Sequence, residues 1–186
     1  MSAIEALKLA APPPVRPLFP GASEEWEQLE AEWRLEFPED YKELVATYGA
    51  GHFADFFGVS DPFCISERLT PYREWVQLRL EGVERARRSY PEDAVPFAPY
   101  PEGGGLFPWG YTDNGGTMFW LTKGKNIDWP VVCLDVACSN RYDLFNLSAT
   151  DFLQGWLTGR ISVPSLTPPD FFPLPTPIFI QYQTAQ

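Results

Sequence analysis

The chain has 186 residues, 45% hydrophobic and 21% charged, which is enough for one packed domain and too apolar for wholesale disorder. Fourteen Lys and Arg against 25 Asp and Glu give a net charge of −11. That balance argues against nucleic-acid binding, which depends on cationic neutralisation of phosphates, and against docking on anionic lipid. Such a field suits a basic macromolecular partner, and it equally serves solubility.

Residues 1 to 22 read as a proline-rich arm. Ile4, Leu7 and Leu9 stand isolated, and Pro12, Pro13, Pro14, Pro17 and Pro20 favour extended backbone. Ser23 is the expected N-cap of a helix on which Trp26, Leu29, Trp33 and Phe37 recur at helical spacing. Pro38 suits the first position of a second helix, with Tyr41, Leu44, Val45 and Tyr48 on its apolar face and Gly49 as its stop. His52 to Val59 reads as one short aromatic strand. A third helix is expected from Tyr72 to Ser89, with Val76, Leu80 and Val83 on one face and Arg85, Arg87 and Arg88 at its end.

The proline- and glycine-rich stretch 90 to 105 is loop. Three β-like runs follow: Leu106–Tyr111, Thr117–Thr122 and Val131–Val136, the first two joined by an Asn114-Gly115 turn signal. Tyr142 to Phe145 suits an edge strand. Ser148 caps a last helix, with Asp151 in the capping-box position and Leu147 and Phe152 placed as a staple. Beyond Ser162 the chain is proline-rich again, and Ile178, Phe179 and Ile180 form a short apolar run suited to a sheet edge. The expected class is α+β, with helices packed on a mostly antiparallel sheet.

Few constellations suggest chemistry. Gly103-Gly104-Gly105 lacks the Lys-Ser/Thr that a phosphate loop requires. His52 is the only histidine, and Cys64, Cys133 and Cys138 show neither zinc spacing nor an even disulfide count. No catalytic residue, metal or cofactor is expected. Asp55, Asp61, Asp113, Asp128, Asp135 and Asp143 lie near strand ends, where a carboxylate pair would suit glycoside chemistry, but the sequence sets no distance between them. Glu24 to Glu43 holds nine acids and two bases, a local charge of −7. It reads either as a solvated helix face or as a docking surface for a cationic partner. Candidate partner-binding acids are Glu30, Glu32, Asp55, Asp61, Glu102 and Asp113, with Phe56, Phe57 and Tyr111 as the alternative should aromatics carry the interface. Neither a signal-type N-terminus nor an apolar run of about 20 residues is visible, so a cytoplasmic protein is expected.

Three blocks occur in order: LEAEWRLEFPEDYKELVATYGAG (29–51), GGLFPWGYTDNGGTMFWLTKG (104–124) and WPVVCLD (129–135), the last followed by a Phe-Leu helix over 152–157. Together they resemble the SMI1/KNR4 family of the SUKH superfamily, with the Trp109-Gly110 and Asn114-Gly115-Gly116 hairpin and Trp120 as the most specific part. The resemblance covers about residues 23 to 160 and leaves 1–22 and 161–186 outside as extensions. It implies a binding domain without catalytic residues. Bacterial members are commonly immunity proteins against toxin domains, often nucleases, and fungal members are cell-wall and signalling regulators. The partner it implies is therefore a basic protein, most naturally a cognate toxin domain. The alternative is a regulatory or scaffold role outside any toxin system. Trp109, Gly110, Asn114, Gly115 and Trp120 carry the family motif with a structural job, and residues 1–20 and 166–186 are expected to be dispensable for folding.

Overall fold

A computed structural model describes residues 2–66, 69–167 and 179–182. The elements in chain order are α1 (Ala3–Ala10), α2 (Ser23–Trp33), α3 (Glu39–Tyr48), β1 (Gly51–Phe53), β2 (Phe57–Val59), α4 (Tyr72–Ser89), β3 (Leu106–Thr112), β4 (Thr117–Leu121), β5 (Val131–Leu134), β6 (Asp143–Phe145), α5 (Ala149–Leu157) and β7 (Phe179–Gln181). The strands form one sheet in the order β6-β5-β4-β3-β2-β1-β7, and every pair is antiparallel. The fold is α+β, as the pattern of elements predicts.

Alternation along the strands divides the core in two. Phe107 and Trp109 of β3, Met118 and Trp120 of β4 and Val131 and Cys133 of β5 face α1, α2, α3 and α5, and join their side chains in one large cluster. Leu106, Phe119, Val132 and Leu134 point the other way, against Val83 of α4 and Val95. The larger cluster is dominated by rings: Tyr41–Trp120, Trp109–Trp120 and Phe37–Phe107 centroids lie 4.9, 5.7 and 5.6 Å apart. Such contacts add about 0.5–1.5 kcal/mol each beyond the area they bury.

Four local expectations need correction. The cap of α2 is Ala22 rather than Ser23, and the Glu25 carboxylate accepts the Ala22 N–H at 2.7 Å. Pro38 occupies the cap of α3, one position before the helix. The single aromatic strand is a hairpin, because Ala54 (φ 54°) and Asp55 (φ 52°) both adopt left-handed backbone and turn the chain between β1 and β2. Ala carries no signal for that conformation, which is why the turn is invisible in the sequence.

The fourth concerns the ends. The stretch expected as an extended arm forms α1, capped by the Ser2 hydroxyl, with Ile4, Leu7 and Ala11 buried against the core. Residues 4, 7 and 11 share one helical stripe, but eight residues are too few to hold a helix without tertiary contacts. The docking supplies them: α1 packs on α5, and the Tyr48 hydroxyl donates to the Ala11 carbonyl at 2.7 Å. At the other end Val163 and Leu166 are buried. β7 pairs with β1 and places Phe179 between Tyr48 and Phe53, centroids 5.1 and 4.9 Å away. Both ends therefore place residues in the core or on the sheet edge. Phe171, Phe172, Ile178 and the prolines from Pro168 to Pro177 lie outside the described residues.

Candidate functional site

The β3–β4 hairpin is built around the glycine motif. Trp109 is fully buried, stacked on Trp120 and edge-on to Phe152 with centroids 6.0 Å apart. The register shifts between Pro108 and Gly110, and a Cβ at Gly110 would stand 2.9 Å from the Met118 Cε. A side chain there would have to displace the packed methionine. At the tip, Gly115 has φ +89°, and the Gly115 N–H donates to the Thr112 carbonyl at 2.9 Å. The Asn114 side chain bridges outward, accepting from the Thr112 hydroxyl at 2.6 Å and donating to the Leu166 carbonyl at 2.9 Å. These residues serve the hairpin and its seam with the C-terminal segment.

The six candidate acids do not assemble into one patch. Glu30 is half-buried, paired with Lys42 at 2.8 Å, and accepts the Phe37 N–H at 2.9 Å. Glu32 forms a two-pronged pair with Arg73 of α4, which holds its carboxyl below the usual range. Glu102 lies 4.0 Å from Arg87. Asp55 and Asp113 are exposed on adjacent turns at one end of the sheet, where the Asp113 N–H donates to the Phe56 carbonyl at 3.0 Å. Asp61 is buried, 8% exposed, and so is not open to a protein partner as the sequence reading expects. Among the alternative aromatics, Phe57 is buried and Phe56 and Tyr111 are half-buried.

Acids that stay open sit elsewhere on the same helices. Glu24 and Glu27 of α2, Glu36 in the α2–α3 connection and Glu43 of α3 are exposed, and none makes an ion pair among the described residues. The two helices are neighbours, joined by the Lys42–Glu30 pair and by Trp26 against Tyr41, centroids 5.9 Å apart. Their outer surface carries the local charge of the segment into solvent.

A cavity of about 230 Å³ lies between the end of β2, the loop that follows it, the first turns of α4, and the edge formed by Tyr111 and Tyr182. Asp61 Oδ1 accepts the Phe63 N–H at 2.8 Å, while Oδ2 has no partner among the described residues. Burial pushes this carboxyl up to about 7, against the pull of the backbone N–H groups of Phe63 and Cys64, with Glu25 adding to the rise. Burial also pushes the Cys64 thiol up to about 11. Arg79 lies over the Trp75 ring, its Cζ 5.8 Å from the centroid, and its buried Nε has no acceptor among the described residues. Tyr111 and Tyr182 share a hydroxyl–hydroxyl hydrogen bond, and the Tyr182 hydroxyl meets His52 Nε2 at 2.8 Å. His52 is thus half-buried and tied to a wall of the cavity.

The sequence reading missed this site. Its one advance signal is Tyr72, Trp75 and Arg79 at i, i+3 and i+7, which put a guanidinium on an aromatic helix stripe. Among the described residues, no group of three or more His, Cys, Asp or Glu side chains is arranged to hold a metal ion, and no helix is long and apolar enough to cross a membrane.

A family model described as SMI1-KNR4 cell-wall matches residues 23–153, from the start of α2 into α5. Neither a curated protein nor a solved structure matches the chain.

Proposed function

The chain belongs to the SMI1-KNR4 family, and from that premise we propose that it is a non-catalytic protein-binding domain acting in the cytoplasm as an immunity protein. It neutralises a cognate toxin domain by stoichiometric occlusion. The fitting class of toxin is a nuclease. A nuclease must hold a polyanion and so presents a cationic cleft, and an acidic surface competes for that cleft directly.

The observation that carries this reading is the set of open acids on α2, on α3 and in the connection between them. Glu24, Glu27, Glu36 and Glu43 are exposed there and unpaired among the described residues, within a chain of net charge −11. An acid kept out of internal pairs retains its field for a partner. The partner-facing acids are therefore these four rather than Glu30 and Glu32, whose charges are spent on Lys42 and Arg73. Asp55 and Asp113 form a second, smaller acidic point at the turn end of the sheet.

The test is co-expression with candidate nuclease toxin domains, taken first from the genes that flank this one. Restored growth and a one-to-one complex on size-exclusion chromatography are expected. Growth arrest that persists, with no complex formed, contradicts the immunity reading and moves weight to a regulatory or scaffold role.

A further inference from the structure

The cavity beside α4 contains opposite charges that the protein does not pair with each other. Asp61 is 8% exposed and has one oxygen unmatched among the described residues, and Arg79 is half-buried with its buried Nε unmatched among them. Neither side chain forms an ion pair among the described residues. A buried carboxylate without a counter-charge is costly, and Asn in its place would avoid the cost. Both groups line one cavity, and the rest of its wall includes Tyr72, Trp75 and Tyr111.

We propose that this cavity binds a small amphoteric molecule, its ammonium group on Asp61 and its carboxylate on Arg79, with its carbon skeleton against the aromatic wall. Guanidinium and carboxylate match in geometry as well as charge. A volume of about 230 Å³ falls below the usual 300–1,000 Å³ of drug-sized sites. It exceeds the roughly 150 Å³ cavity that accepts benzene. The ligand is therefore the size of a free amino acid. An ammonium arriving at Asp61 takes over the role of the proton that burial keeps on this carboxyl near neutral pH. A lysine or arginine side chain from a protein partner fits less well, because Arg79 would repel it.

The experiment is thermal unfolding of the full chain in the presence of probes. One series holds glycine, β-alanine, 4-aminobutyrate, 5-aminovalerate and 6-aminohexanoate, which step the distance between the two charges; a second holds the common L-amino acids. Butylamine and butyrate serve as single-charge controls. At a roughly hundredfold excess over its dissociation constant, a matched probe should raise the midpoint by roughly 5–10 °C. The controls should leave it unmoved. Asp61→Asn and Arg79→Gln, each compared with its own unliganded midpoint, should each abolish the shift. Two results overturn the proposal: no amphoteric probe shifts the midpoint, or butyrate shifts it as much and Asp61→Asn changes nothing. Because these probes are not proteins, either result leaves the toxin-binding reading standing.

Discussion

Where α3 packs on the sheet, the Tyr41 hydroxyl donates to the Ser60 carbonyl and the Tyr48 hydroxyl to the Ala11 carbonyl, inside a dense set of aromatic rings. Beside the first turns of α4, Asp61 and Arg79 line a cavity, each with one buried polar atom unmatched among the described residues. The packed region does contain two indole N–H groups without acceptors among the described residues, those of Trp33 and Trp109. Those groups are neutral, and their desolvation costs far less than that of a charge. One region thus spends its side chains on stability, and the other keeps charge in reserve. Mutations should separate the two.

The largest effect belongs to the packed region. Trp120→Ala removes a ring that touches Tyr41, Phe37, Phe107, Trp109 and Trp129. It should cost about 4 kcal/mol, within the range for buried aromatic truncations, as read by urea unfolding. A cost below about 1 kcal/mol would mean that the rings are not a jointly packed core.

Deleting residues 2–11 comes next. The loss of buried Ile4, Leu7 and Ala11, offset by the ordering entropy of the short helix, should lower stability by about 3 kcal/mol. Tyr48→Phe, which only strands the Ala11 carbonyl, should cost about 1 kcal/mol. Equal stability after the deletion would return this segment to the status of an arm.

The pocket should behave in the opposite sense. The Asp61 carboxyl ionises near 7 in the fold and near 4 in the unfolded chain. The folded protein therefore holds the extra proton between those values. The associated stability is complete below about pH 4 and is lost as pH rises through about 7. Asp61→Asn keeps an acceptor for the Phe63 N–H and has no charge to desolvate. Its margin over the parent should be about 2–3 kcal/mol larger at pH 8 than at pH 5. Chemical denaturation at the two pH values checks this, and a margin that does not grow would show that the charge is compensated.

The smallest stability effects lie on the surface. Glu32→Ala breaks an exposed pair with Arg73 and should cost less than about 1 kcal/mol.

How much was legible in the sequence follows the same division. The β3–β4 turn and α5 announce themselves through local chemistry, Asn114-Gly115 at one and Ser148 with Asp151 at the other. Trp109 and Gly110 read equally well, because they are adjacent in sequence and both pack within the β3–β4 hairpin. By contrast α1 and β7 exist through distant partners, Leu7 against α5 and Phe179 against Tyr48 and Phe53. Asp61 carries no local mark of burial, since the loop after β2 and the start of α4 enclose it together. Charge counting found the acidic segment but not which acids are already paired. Glu30 and Glu32 answer to Lys42 and Arg73, residues 12 and 41 positions away.

The central claim is that the open acids of α2 and α3 recruit a basic protein. Stopped-flow association of this chain with the toxin domain that the co-expression test identifies, compared with the Glu27→Lys/Glu43→Lys variant across a salt series, tests it most directly. At about 0.15 M salt the screening length is near 8 Å, so steering by these acids should fade as salt rises. The parent should associate roughly tenfold more slowly at high salt than at low, and the variant should start roughly tenfold slower, with dissociation nearly unchanged in both. Association that ignores both the salt and the reversals would contradict the claim and leave the net charge as a device for solubility alone.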